Sequence, residues 1–194
     1  MNTRDQYQRV FGRRELDLML KHLSEEVRSR YVEEDEDGNV IAIVIPAGAD
    51  AIANNTFSSL QTLRYVTIPD SVQAIGRSAF ERCTALECVD IPSSVREIGA
   101  SAFYDCQHLR RVKLHEGTKR ICSFAFGNCP KLWQVRVPQS AKRGLSKSAF
   151  AGSTCDIKLL LRPVSKIKAF LSDTGYYDGY RHFSNGVDID EHYY

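Results

Sequence analysis

Two periods are superimposed in this chain, a short strand-like alternation and a longer step of 23 residues. Ile45, Ile68, Ile91, Leu114 and Val137 form one apolar column, and Val66, Val89, Val112 and Val135 form a second, two residues earlier. Leu63, Leu86, Leu109 and Leu132 keep the same step, as do Ile52, Ile75, Ile98 and Ile121. Phe57, Phe80, Phe103 and Phe126 add a further column, and Phe150 follows one residue late. A unit of this length cannot bury its own apolar face, so a regular repeat predicts a solenoid of stacked coils. Within each unit the last two apolar columns are two residues apart, the period of a strand with one buried face. The predicted strands are Val40–Ile45, Leu63–Ile68, Leu86–Ile91, Leu109–Leu114, Leu132–Val137 and a trailing Ile157–Leu161. Pro46, Pro69, Pro92 and Pro138 terminate strands by removing a backbone donor, and His115 stands in that column once. The return segments, expected to be short helices or irregular, carry an alanine beside the aromatic: Ala79-Phe80, Ala102-Phe103, Ala125-Phe126 and Ala149-Phe150.

Units such as Ile68-Pro69-Asp70-Ser71-Val72, Ile75-Gly76, Ala79-Phe80, Cys83 and Leu86 resemble the BspA-type (Treponema-type) leucine-rich repeat over about residues 40–156. The resemblance implies an α/β solenoid, a right-handed coil of about five 23-residue repeats. It also implies a noncatalytic binding or adhesion module of a kind often found on microbial cell surfaces. Pro163, Ser165, Ala169-Phe170, Tyr177 and Phe183 stand where some bacterial members have a strand-helix C-terminal cap. Departures from the pattern are His115 for proline, Cys122 for glycine, and one extra residue near Gly144, where the last coil should bulge.

The expected organisation is one structural domain in three parts. Residues 1–31 form a helical N-terminal cap, 32–156 the solenoid, and 157–194 a C-terminal cap with a tyrosine-rich tail. Thr3 to Gln6 has the spacing of a capping box. Leu16, Leu20, Leu23 and Val27 fall on one helical stripe, so residues 3–30 read as helices laid over the first coil. Val164–Leu171 reads as a short helix.

Candidate chemistry is sparse. Cys83, Cys106 and Cys129 share one repeat column and read as reduced, inward-facing thiols, although neighbours in that column come close enough for a disulfide. No C-x-x-C occurs, and Cys88 falls in a solvent-facing column. Glu33, Asp35, Asp37 and Gly38 resemble the start of a calcium loop, but Val44 stands where the bidentate glutamate belongs. An acidic hairpin turn explains the same residues. His108 and His115 bracket the third strand with no nucleophile placed beside them, and signatures of hydrolases, zinc proteases and nucleotide-binding loops are missing. No catalytic residue, metal or cofactor is therefore expected.

The 194 residues carry 43% apolar and 26% charged side chains, ordinary for a globular protein able to bury a core. No apolar run approaches the ~18 residues of a membrane span. The first thirty residues lack an apolar signal core, and with reduced thiols this leads to the expectation of a cytoplasmic location. Charge changes the picture through its distribution rather than its net value of +2. Residues 1–103 hold 11 Lys/Arg and 16 Asp/Glu, residues 104–170 hold 14 and 3, and residues 171–194 hold 1 and 5.

Repeat geometry assigns part of this basic region to one surface. Between the inward columns, Tyr65 and Thr67, Cys88 and Asp90, Arg111 and Lys113, and Gln134 and Arg136 are expected on a concave sheet face. Arg64, Glu87, Arg110 and Trp133 lie one position earlier, near its edge. The expected partner-binding residues are Tyr65, Arg110, Arg111, Lys113, Trp133, Gln134 and Arg136, with a protein of acidic surface as partner. Three alternatives stand beside this: nucleic-acid backbone binding by the basic residues of 104–170, an adhesin-type module if the protein is exported, and homo-oligomerisation through the tail or an end coil.

Overall fold

The structure, a computed structural model, describes residues 9–155. In chain order its elements are β1 (Val10–Phe11), α1 (Arg13–Lys21), α2 (Glu25–Arg28), β2 (Val32–Glu34), β3 (Val40–Val44), β4 (Ala51–Ile52) and β5 (Tyr65–Thr67). They continue as β6 (Ala74–Ile75), β7 (Cys88–Ile91), β8 (Glu97–Ile98), β9 (Arg111–Leu114), β10 (Arg120–Ile121) and β11 (Gln134–Val135). The expected strand Ile157–Leu161, the helix Val164–Leu171 and the tyrosine-rich tail lie outside the described residues.

The coil is a β-solenoid with two walls. Along the front wall β3 pairs β5, and β7 pairs β9 and β9 pairs β11, all parallel at the 23-residue step. Backbone bonds carry the step across the gap between the two groups: Arg64 N donates to Ile41 O, Glu87 N to Arg64 O, Arg110 N to Glu87 O and Trp133 N to Arg110 O, at 2.8–3.2 Å. The return wall is a second parallel ladder in the order β1-β4-β6-β8-β10. Where the sequence predicts returns that are short helices or irregular, this ladder excludes the helical form among the described residues, so the coil is a β-solenoid rather than an α/β one. The Ile52 to Ile121 column supplies two-residue strands, and the rest of each return is turns that hydrogen-bond to the next coil.

Between the walls the phenylalanines form one stack. Phe57, Phe80, Phe103 and Phe126 are fully buried, with ring centroids 4.8, 4.9 and 5.2 Å apart and planes within 8° of parallel. Those distances follow the ~4.8 Å spacing of adjacent strands, because identical rings translate with the backbone that carries them. Each ring is held by its own amide: Phe57, Phe80 and Phe103 N–H groups donate to the carbonyls of Ala79, Ala102 and Ala125 at 2.7 Å. The turn needs left-handed backbone on both sides of the ring, supplied at φ 53–64° by Asn55 and Ser59, Ser78 and Arg82, Ser101 and Asp105, and Phe124 and Asn128. Most of these are small polar residues that tolerate the region, whereas Arg82 and Phe124 are bulky; the exposed Phe124 ring meets Tyr104 edge-on.

The extra residue before Phe150 falls at residues 142–144: the 3-10 turn Gln139–Ala141 keeps the 23-residue step, whereas Leu145 bridges to Ile121 at a step of 24, and Phe150 rejoins the stack at 5.4 Å. Glu116 accepts from the backbone N–H groups of Gln139 and Ser140, which hold its carboxyl below the ordinary range.

The N-terminal segment departs from expectation. Residues 1–8 lie outside the described part, and Val10–Phe11 is a strand rather than helix, pairing with Ala51–Ile52 and stacking Phe11 on Phe57 at 5.8 Å. The single stripe also fails, because the chain breaks at residues 22–24 between α1 and α2. Leu16 and Met19 are buried, while Leu23 and Val27 face solvent. Glu15 ties α1 to its start by accepting from the Gly12 N–H at 2.9 Å.

Thr118 occupies the column of Val72 and Val95, fully buried, and its hydroxyl has no hydrogen-bond partner among the described residues. A Thr118→Val substitution keeps the shape and removes an unsatisfied polar atom, so it is expected to stabilise the fold by about 1 kcal/mol. A raised urea midpoint checks this; a lowered one would mean that the hydroxyl has a partner.

Candidate functional site

Register decides which front-wall side chains share a surface, since paired positions point to the same side. Glu33 pairs with Ala42 and Ala42 with Tyr65; in the other group Cys88 pairs with Arg111 and Arg111 with Gln134. Joined by the backbone bond from Glu87 to Arg64, these positions make one row across the outward side of the wall. The next outward row runs through Val44, Thr67, Asp90, Lys113 and Arg136, and the inward residues between them are buried or half-buried.

Arg110, Arg111, Lys113, Trp133 and Arg136 are all exposed, Trp133 by 41% and Tyr65 by 42%. Lys113 lies 3.5 Å from Asp90, which also meets His115 Nε2 at 2.8 Å. Arg64 is neutralised by Glu87 at 2.7 Å and rests over the Tyr65 ring, 5.4 Å from its centroid. The guanidinium groups of Arg110, Arg111 and Arg136 make no ion pair among the described residues. The backbone of Gln134 pairs with Arg111 in the same row. Of the expected site residues, register places Tyr65, Arg111 and Lys113 at outward positions of one wall, with Tyr65 two strands away from Arg111; Arg110, Trp133 and Arg136 are exposed beyond the paired positions.

At the first edge of the same wall, Glu33, Glu34, Asp35, Glu36 and Asp37 are exposed. Asp35 organises the hairpin turn, accepting from the backbone of Asp37 at 3.1 Å and of Asn39 at 2.8 Å. The Asn39 bond is the main reason its carboxyl sits below the ordinary range. A hairpin rather than a calcium loop thus accounts for these acids. Among the described residues no group of three His, Cys, Asp or Glu side chains is placed to hold a metal ion. His108 Nδ1 lies 2.9 Å from the Thr84 carbonyl, and His115 engages Asp90.

The cysteine column has a role that spacing alone leaves undetermined. Cys83, Cys106 and Cys129 are buried free thiols whose Sγ atoms meet the carbonyls of Phe57, Phe80 and Phe103 at 3.1–3.3 Å. Ser153, one residue late like Phe150, does the same to Phe126 at 2.6 Å. A small donor at this position satisfies the phenylalanine carbonyl of the preceding coil. Cys88, expected in solvent, is half-buried.

Burial pushes the Cys83 and Cys129 thiols up to about 12 from 9.0. Between those values the folded chain holds protons that the unfolded chain releases. The thiols' contribution to stability is thus complete below pH 9.0 and is lost as pH rises toward 12. Melting temperatures at pH about 8 and about 10.5 should fall further for the wild type than for Cys83→Ala/Cys129→Ala. Equal falls would show that these thiols are not buried.

Six copies of the BspA type leucine rich repeat region match residues 35–156, and the chain belongs to that family. Among solved structures it is similar to a leucine-rich repeat protein from Bacteroides ovatus, with 32% identity and a TM-score of 0.52 over 58% of this chain and 29% of that one. The T. pallidum leucine-rich repeat protein shares 27% identity at a TM-score of 0.50, over 59% of this chain and 61% of that one. A leucine rich cell surface protein from Faecalibacterium prausnitzii shares 26% identity at 0.51, over 66% and 38%. The chain thus covers less than two thirds of each of these proteins. No curated protein matches it.

Proposed function

We propose that this BspA-type repeat chain is a noncatalytic recognition module that binds a protein partner through the outward side of its front wall. The observation that carries the reading is three exposed guanidinium groups, Arg110, Arg111 and Arg136, that make no ion pair among the described residues, with Trp133 also exposed. An unpaired arginine keeps its fork of donors for a carboxylate on a partner, and Arg and Trp are the side chains that most often dominate binding. The wall is ordered by its own ladder, so docking a partner costs little conformational entropy. Lys113 and Tyr65 extend the same surface, and Gln134 lies in its central row. A cytoplasmic, reducing location belongs to the same proposal and is supported by the free thiols that donate to backbone carbonyls. Nucleic-acid backbone is the second chemistry that these cations could meet. Among the described residues the wall lacks the succession of exposed aromatic rings that a base-stacking platform uses, which favours protein.

The full chain should bind immobilised poly-glutamate, and Arg111→Glu/Arg136→Glu should weaken that binding by about tenfold or more. Equal binding by the variant would overturn the assignment of this surface. A mobility shift with random DNA or RNA at low salt that outcompetes poly-glutamate would replace the protein reading with the nucleic-acid one.

A further inference from the structure

The charge on the outward side of the front wall is arranged symmetrically about one strand. In the central row, Glu33 on β2 and Arg111 on β9 stand on either side of Tyr65 on β5. Ala42 separates Tyr65 from the acid and Cys88 separates it from the base. Each arm is two strand spacings long, about 10 Å. Around Glu33 lie Glu36 and Asp37, which make no ion pair among the described residues; around Arg111 lie Arg110 and Arg136, equally unpaired. Between the two ends lie Ala42, Val44, Tyr65 and Thr67, with Arg64 and Glu87 cancelling each other and Asp90 offset by Lys113 at 3.5 Å, so the net charge there is close to zero. Val44 and Tyr65 are large apolar side chains left 39% and 42% exposed there.

The two charged ends do not neutralise each other within one molecule. They are about 19 Å apart, more than twice the Debye length at physiological salt. A second copy turned by a two-fold axis over Tyr65 brings each acidic end onto the other copy's basic end and sets the neutral centres against each other. Such an interface is self-complementary, closes at two copies, and has the apolar centre and charged rim of a specific contact. We propose that the occupant of this surface is a second copy of the same chain, paired face to face about the Tyr65 strand. The inference rests on the reading that this wall is the recognition surface, and it gives the acidic partner an identity.

Sedimentation of the full chain at low salt should show a mass that rises with concentration from 21.9 kDa and levels off at twice that value. Moderate salt should return the monomer, because the rim contacts are charged. Glu33→Lys and Arg111→Glu each place like charges together twice in a symmetric pair, so each variant alone should dimerise at least tenfold more weakly. Mixing the two should restore association, since both contacts in the mixed pair are again opposite in charge. The doubly reversed chain, Glu33→Lys/Arg111→Glu, should dimerise by itself for the same reason. Both positions are exposed, and unchanged circular dichroism of each variant confirms that the fold is kept. A wild type that stays at 21.9 kDa up to high concentration overturns the proposal, as does a mixture no tighter than its components. Either result leaves the poly-glutamate test of the wall standing. Loss of that test with dimerisation intact removes the reading of an acidic external partner alone.

Discussion

The structure depends on one constraint: every coil must place a phenylalanine directly over the one before it. The amide of that residue donates to the alanine carbonyl of the next coil, and its own carbonyl receives a small side-chain donor from that coil. Ring spacing, amide spacing and strand spacing are therefore one distance seen at three depths. A coil that lengthened elsewhere would pull its ring out of line. The added residue before Phe150 is tolerated because it is spent at residues 142–144, after the in-register Gln139–Ala141 turn and before the return strand rejoins the ladder at Leu145.

The same stacking arranges the surface. Once the inward columns are in register, every outward column is in register too, and residues 23 apart become neighbours. Nothing in the core depends on what stands in the outward columns, so these positions are free to vary. They hold Tyr65, Cys88, Arg111 and Gln134 in one row and Thr67, Asp90, Lys113 and Arg136 in the next. The columns that do not repeat are the ones on which the proposed recognition rests.

Substitutions within the repeating columns mark where the frame itself is uneven. In the return wall, a Cβ on Gly76 or Gly99 would lie 2.6–2.7 Å from the backbone of the preceding coil, and Cys122 takes the next place in that column. Its thiol is only half-buried and lies 3.8 Å from Glu97. Its neighbour Phe124 is the bulky member of a column otherwise occupied by Asn55, Ser78 and Ser101. Both departures fall in the same coil, whose return wall thus differs from those before it.

Most of the fold was legible in the sequence, because a 23-residue period in apolar side chains is a statement about one coil's contact with the next. That period alone determined the solenoid, the front strands, the buried phenylalanine and cysteine columns, and the row that holds Tyr65, Arg111 and Gln134. Three things were decided only by tertiary structure. Val10–Phe11 became a strand because an open ladder edge at Ala51–Ile52 offered backbone partners that local propensity cannot register. The returns became a second ladder because two-residue strands are stabilised by neighbours 23 residues away, too short to announce themselves by alternation. Glu33 came to face the same way as Arg111 because an antiparallel hairpin, outside the repeat, set its register against Ala42. Periodicity reports what recurs; which way a non-repeating segment turns its side chains is set by the backbone it pairs with.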